Sequence, residues 1–99
     1  MKAYPKVNII MAHSGFMMHT VESIDVALEC PNIYLEQSAA ISRGCTDSVQ
    51  AIGPRRVLMG SDTPYTDFGV EIRKIEVAID RLEDRKLVMG ENIVRLGEI

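Results

Sequence analysis

The sequence lacks an excess of positive charge. Eleven Lys and Arg stand against fourteen Asp and Glu, a formal net charge of −3, so it offers no basic surface for a phosphate backbone and nucleic acid is excluded as a partner. It also lacks a long hydrophobic run. Val7 to Ala12 follows Lys2 and Lys6 as a signal core would, but Asn8 interrupts it and His13 ends it, far short of the ~20 residues of a membrane span. No membrane association is expected, and the reading is a cytoplasmic chain. Cysteine is scarce: Cys30 and Cys45 form no CxxC pair, which points to two ordinary thiols in a reducing compartment and not to a disulfide or a thiolate metal site. No glycine-rich phosphate loop occurs, so anion binding at a strand-to-helix corner ranks last among the functions considered. With 99 residues there is room for one domain, here residues 1–99 as one α/β segment.

What is present is an alternation of strand and helix signals. Val7 to Met11 is apolar apart from Asn8 and rich in β-branched residues, with Pro5 before it and Ser14-Gly15 after it, a strand expected to be buried on both faces. Thr20 is placed to cap a helix in which Val21, Ile24, Ala27 and Leu28 repeat at helical spacing up to Pro31. Asn32 to Gln37 alternates, putting Glu36 and Ser38 on the face opposite Ile33 and Leu35. Ala39 to Gly44 reads as a loop, Cys45 to Ile52 as a short helix stopped by Gly53-Pro54, and Arg56 to Gly60 as a third strand. Val70 to Asp84 carries Ile72, Ile75, Ile79 and Leu82 on one stripe, with Glu71, Arg73, Lys74 and the remaining charges read as a solvated face. Met89-Gly90 breaks the pattern before a last short helix, Glu91 to Leu96.

Three consecutive βα units imply parallel strands with right-handed crossovers. Such a sheet leaves both edges open and one face uncovered, so the chain reads as part of a larger parallel sheet or barrel. In that arrangement the groups just past the carboxyl ends of the strands share one rim: His13, Ser38 and Asp62. Asp62, in Gly60-Ser61-Asp62-Thr63-Pro64, taken alone reads first as a turn former. Beside His13 it becomes a candidate for sharing a metal, a water or a substrate proton. His19 reads as a capping or surface histidine, Ser38 as a turn residue, and Glu36 as either a buried acid or a flank of the barrel mouth. Met11, Met17, Met18, Met59 and Met89 read as core filler.

The motifs Ile9-Ile10-Met11-Ala12-His13-Ser14-Gly15, Asn32-Ile33-Tyr34-Leu35-Glu36-Gln37-Ser38, Arg56-Val57-Leu58-Met59-Gly60-Ser61-Asp62-Thr63-Pro64-Tyr65 and Met89-Gly90-Glu91-Asn92, in this order, resemble the carboxyl-terminal part of the metal-dependent amidohydrolase superfamily. The branch they are most similar to is the amidohydrolase-2 group, with aminocarboxymuconate-semialdehyde decarboxylase and related decarboxylases and lactone hydrolases. The resemblance implies strands six to eight of a (β/α)8 TIM barrel. It implies that His13 polarises substrate or activates water, and that Asp62 approaches the metal and moves a proton. It implies that Gly60 and Ser61 let the backbone approach the site, and that Asn92 caps the closing helix. A small carboxylate, lactone or amide is the implied substrate, and a divalent metal, zinc in a complete site, the implied cofactor. The family's His-x-His pair has no counterpart among the two histidines here, so the isolated chain is expected to be metal-free and inactive. It is expected either to complement the remaining barrel strands or to form a homo-oligomer; the competing expectation is a non-catalytic βα remnant that assembles through its uncovered face.

Overall fold

A computed structural model describes residue 4 and residues 6–14, 19–62 and 67–97. The expectations placed on Pro5, Gly15, Met17, Met18 and the Thr63-Pro64-Tyr65 corner lie outside the described residues. Three parallel strands, β1 (Ile9–Met11), β2 (Ile33–Glu36) and β3 (Val57–Leu58), form one sheet in sequence order. Ile9 pairs with Ile33, Met11 with Leu35, Leu35 with Val57, and Glu36 with Leu58. Helix α1 (Thr20–Glu29) connects β1 to β2, and α2 (Ser42–Ile52) with a 3-10 turn at Pro54–Arg56 connects β2 to β3. Beyond β3 come α3 (Phe68–Ala78), α4 (Leu82–Lys86), a π-helical turn at Leu87–Glu91, and α5 (Asn92–Gly97).

The two-residue pleat sorts the sheet into two unlike faces. Ile33, Leu35, Ile9 and Met11 pack with Ala27, Cys30 and Ile24, while Val57 and Met59 pack with Cys45, Ile75, Ile79 and Val88, so the apolar core lies between sheet and helices. The other face carries Ile10, Tyr34, Glu36 and Leu58. Ile10 is 44% exposed, which corrects the expectation of a first strand buried on both sides. Among the described residues, the layer packed on β1 lies on its helix-facing side.

Several boundaries moved, each for a local reason. Helix α2 begins at Ser42, three residues into the expected loop, and there Gly44 lets α1 come close: a Cβ would sit 3.0 Å from Thr20 Oγ1. Thr20 is the first residue of α1, not its cap; the capping position belongs to the exposed His19, whose side chain makes no capping bond. Helix α3 starts where the Asp67 carboxylate accepts the Val70 N–H and stops at Ala78, not Asp84. Its terminal carbonyls find other donors: Thr46 Oγ1 at 2.8 Å from Ala78 O and Arg85 Nε at 2.5 Å from Ile79 O. Leu82, expected on the apolar stripe, is consequently turned out and 62% exposed.

Met89-Gly90 does not break the chain either. The π-helical turn carries it through, and Val88 O accepts the Met59 N–H at 2.9 Å while Asn92 Nδ2 donates to Val57 O at 2.9 Å. The outer edge of β3 is therefore covered, against the expectation of two open edges. Asn92 ties the last helix to β3; its amide bonds Pro54 and Val57 carbonyls in place of the expected helix cap. Arg56 plays the matching part for α1, which has no basic residue in its last turn. Its guanidinium donates to the carbonyls of Ala27, Cys30 and Ile33.

Candidate active site

Each strand leaves the sheet through a residue in the left-handed region: His13 at φ 53°, Ala39 at φ 61° and Asp62 at φ 52°. Non-glycine residues reach this region at a cost of about 1–2 kcal/mol, and histidine and aspartate tolerate it better than alanine. The kinks turn all three residues toward one depression of about 400 Å3, lined by Ala12, His13, Ala39 and Asp62. Larger open grooves lie on the helical side, around Met89 and Val94 and around Ile41 and Val77, away from these groups.

His13 Nε2 and Asp62 Oδ1 are 3.8 Å apart across the depression, with side chains 42% and 28% exposed. On the other side of the ring, Nδ1 lies 3.1 Å from Ser38 O and 2.9 Å from Ser38 Oγ. A carbonyl oxygen only accepts, so this contact favours a proton on Nδ1. In the neutral form of that ring the lone pair is on Nε2, on the side of Asp62. Ser38 Oγ–H is directed to Glu36 Oε2 at 2.9 Å, and the Ser38 N–H donates to Glu36 Oε1. Ser38 is 2% exposed and orients the imidazole.

Glu36, read either as a buried acid or as a flank of the barrel mouth, is half-buried at the end of β2. Its oxygens accept from Ser38 N and Oγ and, at 3.4 Å, from His13 N, so the carboxylate joins the β1 and β2 exits. Gly60 makes room for it: a Cβ there would meet Glu36 Oε1 at 2.6 Å and Cδ at 2.9 Å. Behind the rim, Gln37 Nε2 donates to Ser14 Oγ at 2.8 Å, tying the same two exits from the helix side.

Two charged residues of α3 were misplaced by the sequence pattern. Glu71 is 4% exposed and pairs with Lys74, whose side chain is 11% exposed; neither belongs to a solvated face. The signal was present in the register, since Glu71 precedes the buried Ile75 by four residues and Ile79 by eight. Next to this pair, burial pushes the Cys45 thiol up to about 12, with Glu71 and Glu36 acting in the same direction and Lys74 against it. Cys45 and the likewise buried Cys30 are free thiols.

The residues at the rim fit one corner of a metal site. Asp62 presents a carboxylate and His13 a ring nitrogen, but Glu36 is committed to backbone and serine donors. Among the described residues no group of three or more His, Cys, Asp or Glu could hold a metal ion, whereas a catalytic zinc site uses three protein ligands. Among the described residues, too, no helix is long and apolar enough to cross a membrane.

Parallel strands in sequence order, helices on one face and polar groups gathered past the carboxyl ends define a segment of a TIM-type α/β barrel. Residues 1–96 match the amidohydrolase family Amidohydro_2, and the chain belongs to it. Solved structures agree on the fold. An uncharacterised TIM-barrel protein from Bordetella bronchiseptica superposes with a TM-score of 0.78 at 20% identity, over 96% of this chain and 35% of that one. A dihydroxybenzoic acid decarboxylase from Polaromonas, solved with manganese and 2-nitroresorcinol, gives 0.75 at 21% identity over 96% and 35%. The 5-carboxyvanillate decarboxylase of Sphingomonas paucimobilis gives 0.72 at 17% identity over 96% and 35%. The chain thus spans about a third of the length of these barrels. None of the curated proteins matches the sequence.

Proposed function

We propose that this chain is the His13–Asp62 portion of a metal-dependent amidohydrolase-type hydrolase or decarboxylase acting on a small carboxylate, lactone or amide. The observation that carries the reading is the facing of His13 Nε2 and Asp62 Oδ1 at 3.8 Å over a depression at the strand ends. A divalent cation bound there, zinc or manganese, would act as a Lewis acid on an oxygen of substrate or water. Asp62 is the residue of this chain that would hold it, with further ligands supplied by the rest of a barrel. His13, fixed by Ser38, takes or returns a proton through Nε2, and the Asp62 carboxylate stabilises the imidazolium so formed. In a decarboxylation the same pair delivers the proton that replaces carbon dioxide on the substrate carbon.

The test is complementation. The first two thirds of the Polaromonas decarboxylase barrel, expressed as a separate polypeptide, is mixed with this chain, and the assembled one-to-one complex is assayed for metal content and for carbon dioxide release from dihydroxybenzoate. Stoichiometric metal and turnover, both lost in Asp62→Asn, support the reading. An assembled complex that is metal-free and inactive refutes it. The exposed Ile10 on the outward side of β1 favours a second reading, a non-catalytic module that self-associates through that side of the sheet. Under that reading light scattering finds a homo-oligomer, and Asp62→Ala leaves it intact.

A further inference from the structure

The buried pair Glu71–Lys74 is not spent on its own helix. Lys74 Nζ donates to Gln37 O at 2.5 Å and to Ala40 O at 2.9 Å, and Glu71 Oε1 accepts the Ala39 N–H at 3.2 Å. Residues 37–40 form a tight turn closed by the Ala40 N–H on Gln37 O at 3.1 Å, with left-handed Ala39 third. That is the position of a type II turn where glycine or asparagine is the usual occupant. Alanine adopts it at a cost of about 1–2 kcal/mol, and a buried ion pair is weakly stabilising compared with apolar packing. The two anomalies explain each other: the pair grips the turn on three backbone groups and holds Ala39 in its strained conformation.

The gripped turn contains Ser38, whose carbonyl and hydroxyl both face His13 Nδ1. We infer that Glu71 and Lys74 are positioning residues, which hold the 37–40 turn so that Ser38 locks His13 in the Nδ1–H tautomer and leaves the Nε2 lone pair toward Asp62. They touch neither the depression nor its contents; they act through Ser38. The inference rests on the reading of His13 as the proton carrier, but its central claim concerns a tautomer that exists without substrate.

The experiment is 15N NMR of the histidine rings in the full chain, with His19 assigned by its absence in His19→Gln. Wild type shows His13 mainly as the Nδ1–H form. In Lys74→Met the ratio of Nδ1–H to Nε2–H falls by roughly three- to tenfold, the equivalent of one neutral hydrogen bond. Glu71→Gln, which keeps an acceptor for Ala39 but removes the charge facing Lys74, moves it the same way by less. Arg56→Met, which weakens the α1 carbonyl contacts far from the turn, lowers stability and leaves the ratio unchanged. The inference is overturned by a wild-type Nε2–H form, by an unchanged ratio in folded Lys74→Met and Glu71→Gln, or by an equal shift in Arg56→Met. Loss of all folding in Glu71→Gln also overturns it, since a clamp on one turn does not carry the whole fold. A complemented barrel that is inactive while the tautomer still responds would sink the reaction and spare the clamp.

Discussion

The carboxylate of Glu36 occupies the space that a side chain at position 60 would fill: a Cβ on Gly60 would lie 2.6 Å from Glu36 Oε1. The glycine of the Gly60-Ser61-Asp62 corner therefore serves a neighbouring strand. It lets an acid from β2 lie beneath the β3 exit and bind the backbone of the β1 exit at His13. The resemblance to amidohydrolases implied backbone approach at this glycine; what approaches within the chain is the Glu36 carboxylate.

Gly60→Ala is expected to cost about 1–3 kcal/mol by urea denaturation, the usual range for overpacking. In a Glu36→Ala background, with the carboxylate gone, the same change should cost under about 0.5 kcal/mol, as for a substitution that overpacks nothing. Equal costs in the two backgrounds would mean that Glu36 does not fill that space.

Ala39→Gly should stabilise the chain. Glycine adopts φ 61° without strain, and the relief of about 1–2 kcal/mol exceeds the 0.4–1 kcal/mol lost to a more flexible unfolded chain. The midpoint of thermal unfolding reads the result, and a fall would show that the left-handed alanine is not strained.

Cys45 gives a pH dependence with a definite sign. Burial raises its folded pKa from 9.0 to about 12, so the folded chain keeps a proton that the unfolded chain has lost between those values. This contribution is complete below pH 9.0 and is lost as pH rises toward about 12, at about 1.4 kcal/mol per pH unit for one group. Denaturation of wild type and Cys45→Ala across that window isolates it: the variant's curve should be flatter. A parallel pair of curves would count against a buried, protonated thiol, as would rapid alkylation of Cys45 in the native chain.

Arg56→Met removes the donors shared by the carbonyls of Ala27, Cys30 and Ile33. The Cys30 carbonyl keeps the Ile33 N–H, but the loss of the guanidinium to Ala27 and Ile33 should cost about 1–3 kcal/mol, and amide exchange should speed up at the carboxyl end of α1 before it does so in α3. Uniform acceleration through the chain would argue that Arg56 has no local role.

Much of the architecture was legible in the residues because it depends on short-range patterns. Strand-to-helix alternation, the turn at Gly53-Pro54 and the grouping of His13, Ser38 and Asp62 at one rim follow from periodicity and from the parallel arrangement that short βα units impose. The order of the four motifs carried the family, because order and spacing belong to the sequence itself. Less visible was where elements end when the deciding partner is remote. Ala78 stops α3 because Thr46 and Arg85 supply donors from other elements, and Leu82 leaves its stripe as a result.

For the site, the chain alone determined which side chains reach the rim, since an alternating strand leaves little choice of face. Only the tertiary structure decided what they do there. The 3.8 Å between His13 and Asp62, the contact of the Ser38 carbonyl with His13 Nδ1, and the commitment of Glu36 to hydrogen bonds depend on how three loops kink. Glu71 and Lys74 are the clearest case: on their own helix they are two charges among many, and the turn they grip lies more than thirty residues away. Helical periodicity reports which face a residue occupies, but only packing reports whether that face meets water or a backbone carbonyl.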